Sequence, residues 1–307
     1  MAENNVSKSY LSLSSPGVYL RTPSENAAAD ARALCRRVNS YASKLKATYP
    51  ERFGFFASLP LPDIAGALDE IEYCFATLDP KPDGVILLSN SHGLYFGDPA
   101  MSAIYESLDV RHVTIFEHPT MPCTTHSAEL FQGSHSLPVS QWSKFNRPIA
   151  QRQLAAPMLD FPFETCRTFA DLLLSGFPAR FPNLRWIIPH AGGGLTSLLD
   201  RIITLGPWFS DLKITEEDVK QLCAARFYFD LAGPLPAAAA VTPLLRWVDY
   251  TRILYGSDVP FTPWAAAHSV AQRLDEGLGD VLGTENGNHQ VQCIQSGNAQ
   301  RLFSPMP

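Results

Sequence analysis

Three short segments of this 307-residue chain end alike, in an apolar run, a titratable side chain and a turn. They are Ile115-Phe116-Glu117-His118-Pro119, Ile187-Ile188-Pro189-His190 followed by Ala191 and three glycines, and Leu254-Tyr255-Gly256-Ser257-Asp258. A neutral imidazole and a carboxylate suit Zn²⁺ or Mn²⁺, and convergence from separate strands would give the open coordination of a catalytic metal. Any one of them alone reads equally well as a cap or a core-edge residue. Three at equivalent ends point to chemistry.

These residues need a frame that brings strand ends together. Strands are expected at Ser9–Ser15, Phe53–Leu59, Gly84–Asn90, His112–His118, Arg185–His190, Phe227–Leu231 and Arg252–Asp258. Most are near-continuous apolar runs, as parallel strands covered on both faces must be. Helical spacing fills the intervals at 25–48, 63–78, 98 onward, 164–180, 195–210, 215–225, 237–248, 264–276 and Val291–Phe303. Asp63 is a candidate N-cap, and Asp98-Pro99 places Asp at N-cap and Pro at N1. Alternation without repeats predicts one α/β domain over 1–307, a (β/α)8 barrel with its site at the C-terminal strand ends. Residues 119–159 form the longest irregular stretch and read as an active-site loop or lid.

Composition narrows the class. The net charge of −6 offers no basic stripe for nucleic acid, and Arg32, Arg36 and Arg37 read as the wet face of a helix. No apolar run approaches the roughly 18 residues of a membrane helix. Six cysteines without a CxxC pair, and no signal-peptide pattern at the start, suggest reduced thiols in the cytoplasm. Cys123 could line a pocket and Cys166 reads as core. The glycines after His190 lack GxGxxG spacing, which disfavours a dinucleotide site. Among the other histidines, His92 follows the third strand and could touch substrate. His126 and His135 could belong to a pocket wall, His112 lies at the wrong end of its strand, and His268 and His289 read as surface.

Taken together, RFGFFASLPLPD (Arg52–Asp63), His118-Pro119, RFPNLRWIIPHAGGG (Arg180–Gly194), FYFDLAG (Phe227–Gly233), GSDVPF (Gly256–Phe261) and GNA (Gly297–Ala299) resemble the amidohydrolase-related decarboxylases. That group contains aminocarboxymuconate semialdehyde decarboxylase and γ-resorcylate decarboxylase. Asn4–Leu20 and the loop opening at His118 look most like the fungal 6-methylsalicylate branch of secondary metabolism. The resemblance implies a metal-dependent, non-oxidative decarboxylase of a small salicylate-like acid, using Zn or Mn and acting as a homodimer. It assigns His118 and Asp258 to the metal, Asp258 also to proton delivery, and His190 to polarising the substrate. Arg201 matches an arginine that binds a substrate carboxylate across a dimer interface; a helix-surface salt bridge is the alternative.

The family carries an HxH or ExH pair at the end of its first strand, and this sequence has neither. With seven strands counted against eight, the expectation is a barrel lacking its first βα unit. Two rivals follow: a metal-dependent hydrolase of the same superfamily, and a truncated, inactive homologue.

Overall fold

Parallel pairing of short apolar strands organises the chain. The computed structural model describes residues 1, 3, 5–20, 26–122, 156–209, 211, 213–233, 237–283 and 287–304. Its strands are β1 (Ser9–Leu11), β2 (Phe53–Ser58), β3 (Gly84–Leu88), β4 (Asn90–Ser91), β5 (Leu94–Tyr95), β6 (Thr114–His118), β7 (Arg185–Ile188), β8 (Phe227–Asp230) and β9 (Ile253–Leu254). Seven of them form one sheet in the order β1-β2-β3-β6-β7-β8-β9, every pair parallel. Among the described residues β1 and β9 are its edges, flanking the position where an eighth strand would close a barrel.

The helices are α1 (Ala27–Thr48), α2 (Ile64–Glu72), α3 (Ser102–Asp109), α4 (Asp160–Leu174), α5 (Phe177–Arg180), α6 (Leu195–Phe209), α7 (Glu216–Arg226), α8 (Ala237–Leu245), α9 (Trp264–Leu282), α10 (Gly287–Gln292) and α11 (Asn298–Phe303). None is long and apolar enough to cross a membrane. Side-chain caps set several starts. Asp63 accepts the Gly66 N–H at 2.9 Å, Asp98 that of Ala100 at 2.8 Å, and Thr215 with Asp218 makes a reciprocal capping box. The helix expected over 164–180 is broken at Gly176, whose φ of 74° only glycine adopts cheaply. Arg32 and Arg36 do not lie idle on a wet face. They pin α1 to α2, pairing with Asp63 at 2.5 Å and with buried Glu70 at 2.8 Å.

Period-two alternation along the strands builds two apolar layers. Outward residues such as Phe55, Val85, Ile115, Trp186 and Phe229 pack with the helices in the main core. Inward residues form a second cluster to which every strand of the sheet contributes: Tyr10, Phe56, Ile86, Phe116, Ile187, Tyr228 and Leu254. One cluster can gather side chains from all seven strands because the sheet curls around it. Leu302 and Phe303 of α11 join from below, Phe303 stacking on Tyr10 at 4.2 Å. Asn298, the middle residue of GNA, explains that motif. Its Nδ2 donates to the carbonyls of Ile253 (2.7 Å) and Tyr250 (2.8 Å), holding the edge strand β9.

Candidate active site

The inward cluster is the floor of the site, and the next inward positions are its working surface. Moving two residues along each strand leads from Phe56 to Ser58, Ile86 to Leu88, Phe116 to His118, and Tyr228 to Asp230. Three of these four positions are polar, each one inward step beyond the apolar floor residue of its own strand. His118 ends β6, while His190 and Asp258 lie just beyond the ends of β7 and β9.

His118 is half-buried, and its Nδ1–H donates to its neighbour's carbonyl, Pro119 O, at 2.7 Å. That bond leaves Nε2 as the lone pair available to a ligand. Burial pulls the imidazole down to about 4, opposed by the Pro119 carbonyl and reinforced by His190, so it is neutral near pH 7.

His190 opens a single left-handed turn. Residues 190 to 193 all have positive φ (54°, 54°, 81° and 63°), closed by Gly192 N–H to Pro189 O and Gly193 N–H to His190 O, both 3.0 Å. For His190 and Ala191 this conformation costs roughly 1–2 kcal/mol each; the glycines adopt it freely. A Cβ on Gly193 would lie 2.2 Å from Pro162 O, so α4 leaves no room for a side chain there. The turn presents an imidazole whose Nδ1 is shielded from solvent and has no hydrogen-bond partner among the described residues. Burial lowers its pKa, and Asp258 opposes the shift.

Asp258 also has a left-handed backbone, φ 54°, and its Oδ2 accepts from Thr262 Oγ1 at 3.4 Å. Burial raises its carboxyl; His190 pulls it down, and Asp230 pushes it up further. His190 is thus within electrostatic reach of both His118 and Asp258. Such an arrangement sets a carboxyl near a neutral imidazole, the residue types of general acid–base chemistry.

Two carboxylates not singled out in the sequence complete the neighbourhood. Asp230, at the end of β8, accepts the N–H groups of Ala232 (2.9 Å) and His190 (3.2 Å), and burial pushes it up to about 6. FYFDLAG carried the signal, an apolar run ending in Asp before a glycine turn. Glu117 lies behind His118, fully buried, with Thr165 Oγ1 donating to it at 3.2 Å. Burial raises its carboxyl well above the usual range.

A cavity of about 290 Å³, near the lower end of small-molecule pockets, opens at the ends of β2 and β3 and under the β4–β5 hairpin; His118, His190 and Asp258 are not part of its wall. Leu88, one of its walls, is the register partner of His118 in β6. His92 lines it too, at the tip of the β4–β5 hairpin. His92 and Gly93 have φ of 55° and 92°, the two positive angles a type I′ turn requires. Its ring meets Tyr19 edge-on at 5.1 Å. Arg201 lies elsewhere, exposed on α6 and outside the cavity wall; among the described residues it forms no ion pair. The surface salt bridge considered for it does not form there. The expected lid at 119–159 falls mostly outside the described residues, as do Cys123, His126 and His135. Cys166 is buried in α4, as expected of a core residue, while His268 and His289 are exposed.

The donor chemistry of His118 and Asp258 fits a divalent metal, but the ligand count falls short. Among the described residues no three His, Cys, Asp or Glu side chains are grouped to hold one, and a catalytic site ordinarily has three protein ligands. A metal here needs ligands beyond these two.

A family model described as amidohydrolase matches residues 1–304. A decarboxylase of Aspergillus niger is 33% identical over 314 residues, covering 99% of this chain and 76% of that protein. The 6-methylsalicylic acid decarboxylase of Penicillium expansum is 33% identical, covering 97% and 82%. A dihydroxybenzoic acid decarboxylase of Polaromonas, solved with manganese and 2-nitroresorcinol, superposes with a TM-score of 0.74 at 23% identity, covering 99% and 83%.

Proposed function

This chain belongs to the amidohydrolase family, and from that premise we propose that it is a metal-dependent, non-oxidative decarboxylase of a small salicylate-like acid. The observation that carries the reading is Asp258: a carboxyl raised by burial, within reach of a neutral imidazole, at the mouth of a curled parallel sheet. Relatives named as aromatic acid decarboxylases support it, with 6-methylsalicylate, an acid of fungal secondary metabolism, among the candidate substrates.

His118 and Asp258 are the residues that would hold a divalent metal, Zn or Mn, together with further ligands. When bound, such a metal would act as a Lewis acid, drawing electron density from the substrate. The chain's own groups do the rest. Asp258 delivers its proton to the ring carbon that carries the carboxylate, giving a dearomatised intermediate. The bond to the carboxylate then breaks, CO₂ leaves, and the electron pair returns to the ring. His190 stabilises charge developing on the hydroxyl side. Asp258 regains its proton from solvent, so the net change is consumption of one proton and release of CO₂.

We further assign the chain to the cytoplasm and to a homodimer. The dimer reading is supported by a stripe on α6, where Leu198, Trp208 and Phe209 are exposed on the face that carries Arg201. In that assembly Arg201 would reach the neighbouring protomer's substrate carboxylate. The test is product analysis of purified protein with Mn²⁺ or Zn²⁺ and carboxyl-¹³C salicylates. Labelled CO₂ supports a decarboxylase; acid released from amide or lactone substrates, without CO₂, supports the hydrolase. Failure to take up metal at all supports an inactive homologue.

A further inference from the structure

Ser58, in the wall of the cavity, carries a hydroxyl that the fold itself does not use. Ser58 ends β2, at the inward position directly above Phe56. Its backbone is bolted from behind by α1: the Ser58 N–H donates to Asn39 Oδ1 at 2.8 Å, and its carbonyl accepts from Asn39 Nδ2 at 3.0 Å. Cys35 Sγ donates to the same carbonyl at 3.0 Å, and Asn39 is itself held by Glu70 at 2.8 Å. The side chain is 5% exposed, and its Oγ has no hydrogen-bond partner among the described residues.

Three other polar groups on the cavity wall are engaged with protein. Tyr19 OH donates to Pro60 O at 3.2 Å, Thr120 Oγ1 bonds Ser15 Oγ at 2.7 Å, and Asn90 Nδ2 donates to Glu164 Oε2 at 2.9 Å. Leu59, Leu61 and Leu88 supply apolar wall around Ser58. A shielded hydroxyl in a small, part-apolar cavity is costly unless an occupant satisfies it. The register sets the distance scale: Ser58 on β2 and His118 on β6 lie on either side of β3, two strand spacings or about 10 Å apart. A substituted benzene ring hydrogen-bonded at one edge bridges a separation of that order.

We propose that this cavity takes the substituted edge of the aromatic acid, and that Ser58 Oγ hydrogen-bonds a second ring hydroxyl. The chain then selects hydroxylated over methylated acids of the same shape. The assignment rests on the decarboxylase reading for its substrate class, and on Ser58 for its selectivity. A methyl group fills the same volume but leaves the hydroxyl of Ser58 unpaired, which sites built for hydrogen bonding discriminate strongly.

The experiment compares matched pairs in the presence of Mn²⁺: 2,6-dihydroxybenzoate with 6-methylsalicylate, and 2,4-dihydroxybenzoate with 4-methylsalicylate. The expected result is a kcat/KM at least about tenfold higher for the hydroxylated member of one pair. Ser58→Ala should bring that ratio close to one, with an unfolding transition no lower than the parent's because Oγ has no internal partner among the described residues. Turnover with ratios that Ser58→Ala leaves unaltered would overturn the proposal. If no acid releases CO₂, the decarboxylase reading fails, and titration calorimetry with 2,6-dihydroxybenzoate still decides the site. Binding weakened about tenfold in Ser58→Ala supports it, and equal affinity in both proteins overturns it.

Discussion

Asp230 and His190 are tied across adjacent strands, the carboxylate Oδ1 accepting the backbone N–H of His190 at 3.2 Å. The bond fixes the start of the left-handed turn that presents the imidazole. It also leaves a carboxyl fully enclosed, with two backbone N–H groups as its partners. Positioning and electrostatic cost therefore come from one side chain.

That cost is measurable as pH-dependent stability. Burial pushes Asp230 from 3.8 up to about 6, so the folded state holds its proton more tightly than the unfolded state. Asp230's contribution to stability is therefore full below about pH 4 and falls as pH rises to about 6. Above that, the fold carries a penalty of about 3 kcal/mol. Asp230→Asn retains the acceptor and removes the charge. In urea unfolding with chelator present, it should match the parent near pH 3.5 and exceed it at pH 7. A pH-independent difference would contradict this.

Gly193 and Gly194 should respond oppositely to the same substitution. A Cβ at Gly193 meets Pro162 O at 2.2 Å on a backbone with φ 63°, whereas Gly194 has nothing within 4 Å. Gly193→Ala should destabilise by about 2–4 kcal/mol and depress activity through His190. Gly194→Ala should stay within about 0.5 kcal/mol. Equal unfolding midpoints would show that the turn does not need glycine.

Removal of His118 should be felt in metal uptake before activity is assayed. His118→Ala removes the one imidazole whose Nδ1–H is tied to Pro119 and whose Nε2 is left for a metal. Elemental analysis after loading with Mn²⁺ and gel filtration should show affinity reduced about tenfold or more, the scale on which even outer-shell changes act. Uptake equal to that of the parent would move the metal elsewhere.

The exposed face of α6 should govern assembly. Trp208 and Phe209 are 82% and 85% exposed, and a charge there would disfavour a buried partner. Trp208→Glu should convert a dimer to monomer in analytical ultracentrifugation, and Arg201→Ala should raise KM while leaving the mass unchanged. A monomeric parent, or a dimer indifferent to Trp208→Glu, would contradict the assignment.

Much of the frame was readable because parallel strands buried on both faces are continuous apolar runs; Phe53–Ser58 and Thr114–His118 fell inside the expected segments. The edges were harder. A strand was expected over Arg252–Asp258, but only Ile253–Leu254 pairs. β9 has a neighbour on one side, and Gly256 must pass within 3.1 Å of Asp230 Oδ1, measured from where its Cβ would lie. The two-residue strands of the β4–β5 hairpin carry too little periodicity to detect, and His92-Gly93 was its only mark. Strand-end histidines stood out by type. Ser58 and Asp230 did not, because their meaning depends on which face of the strand turns inward and on which partners remain free.

If Asp258 delivers the proton, single-turnover release of ¹³CO₂ depends on its carboxyl. Purified parent and Asp258→Asn, matched for circular dichroism and metal content, would be mixed with a carboxyl-labelled salicylate that the parent decarboxylates. The parent should release the label, and Asp258→Asn should lose about a thousandfold or more, on the scale of a lost general acid. Parent-like release by Asp258→Asn at equal metal content would contradict it.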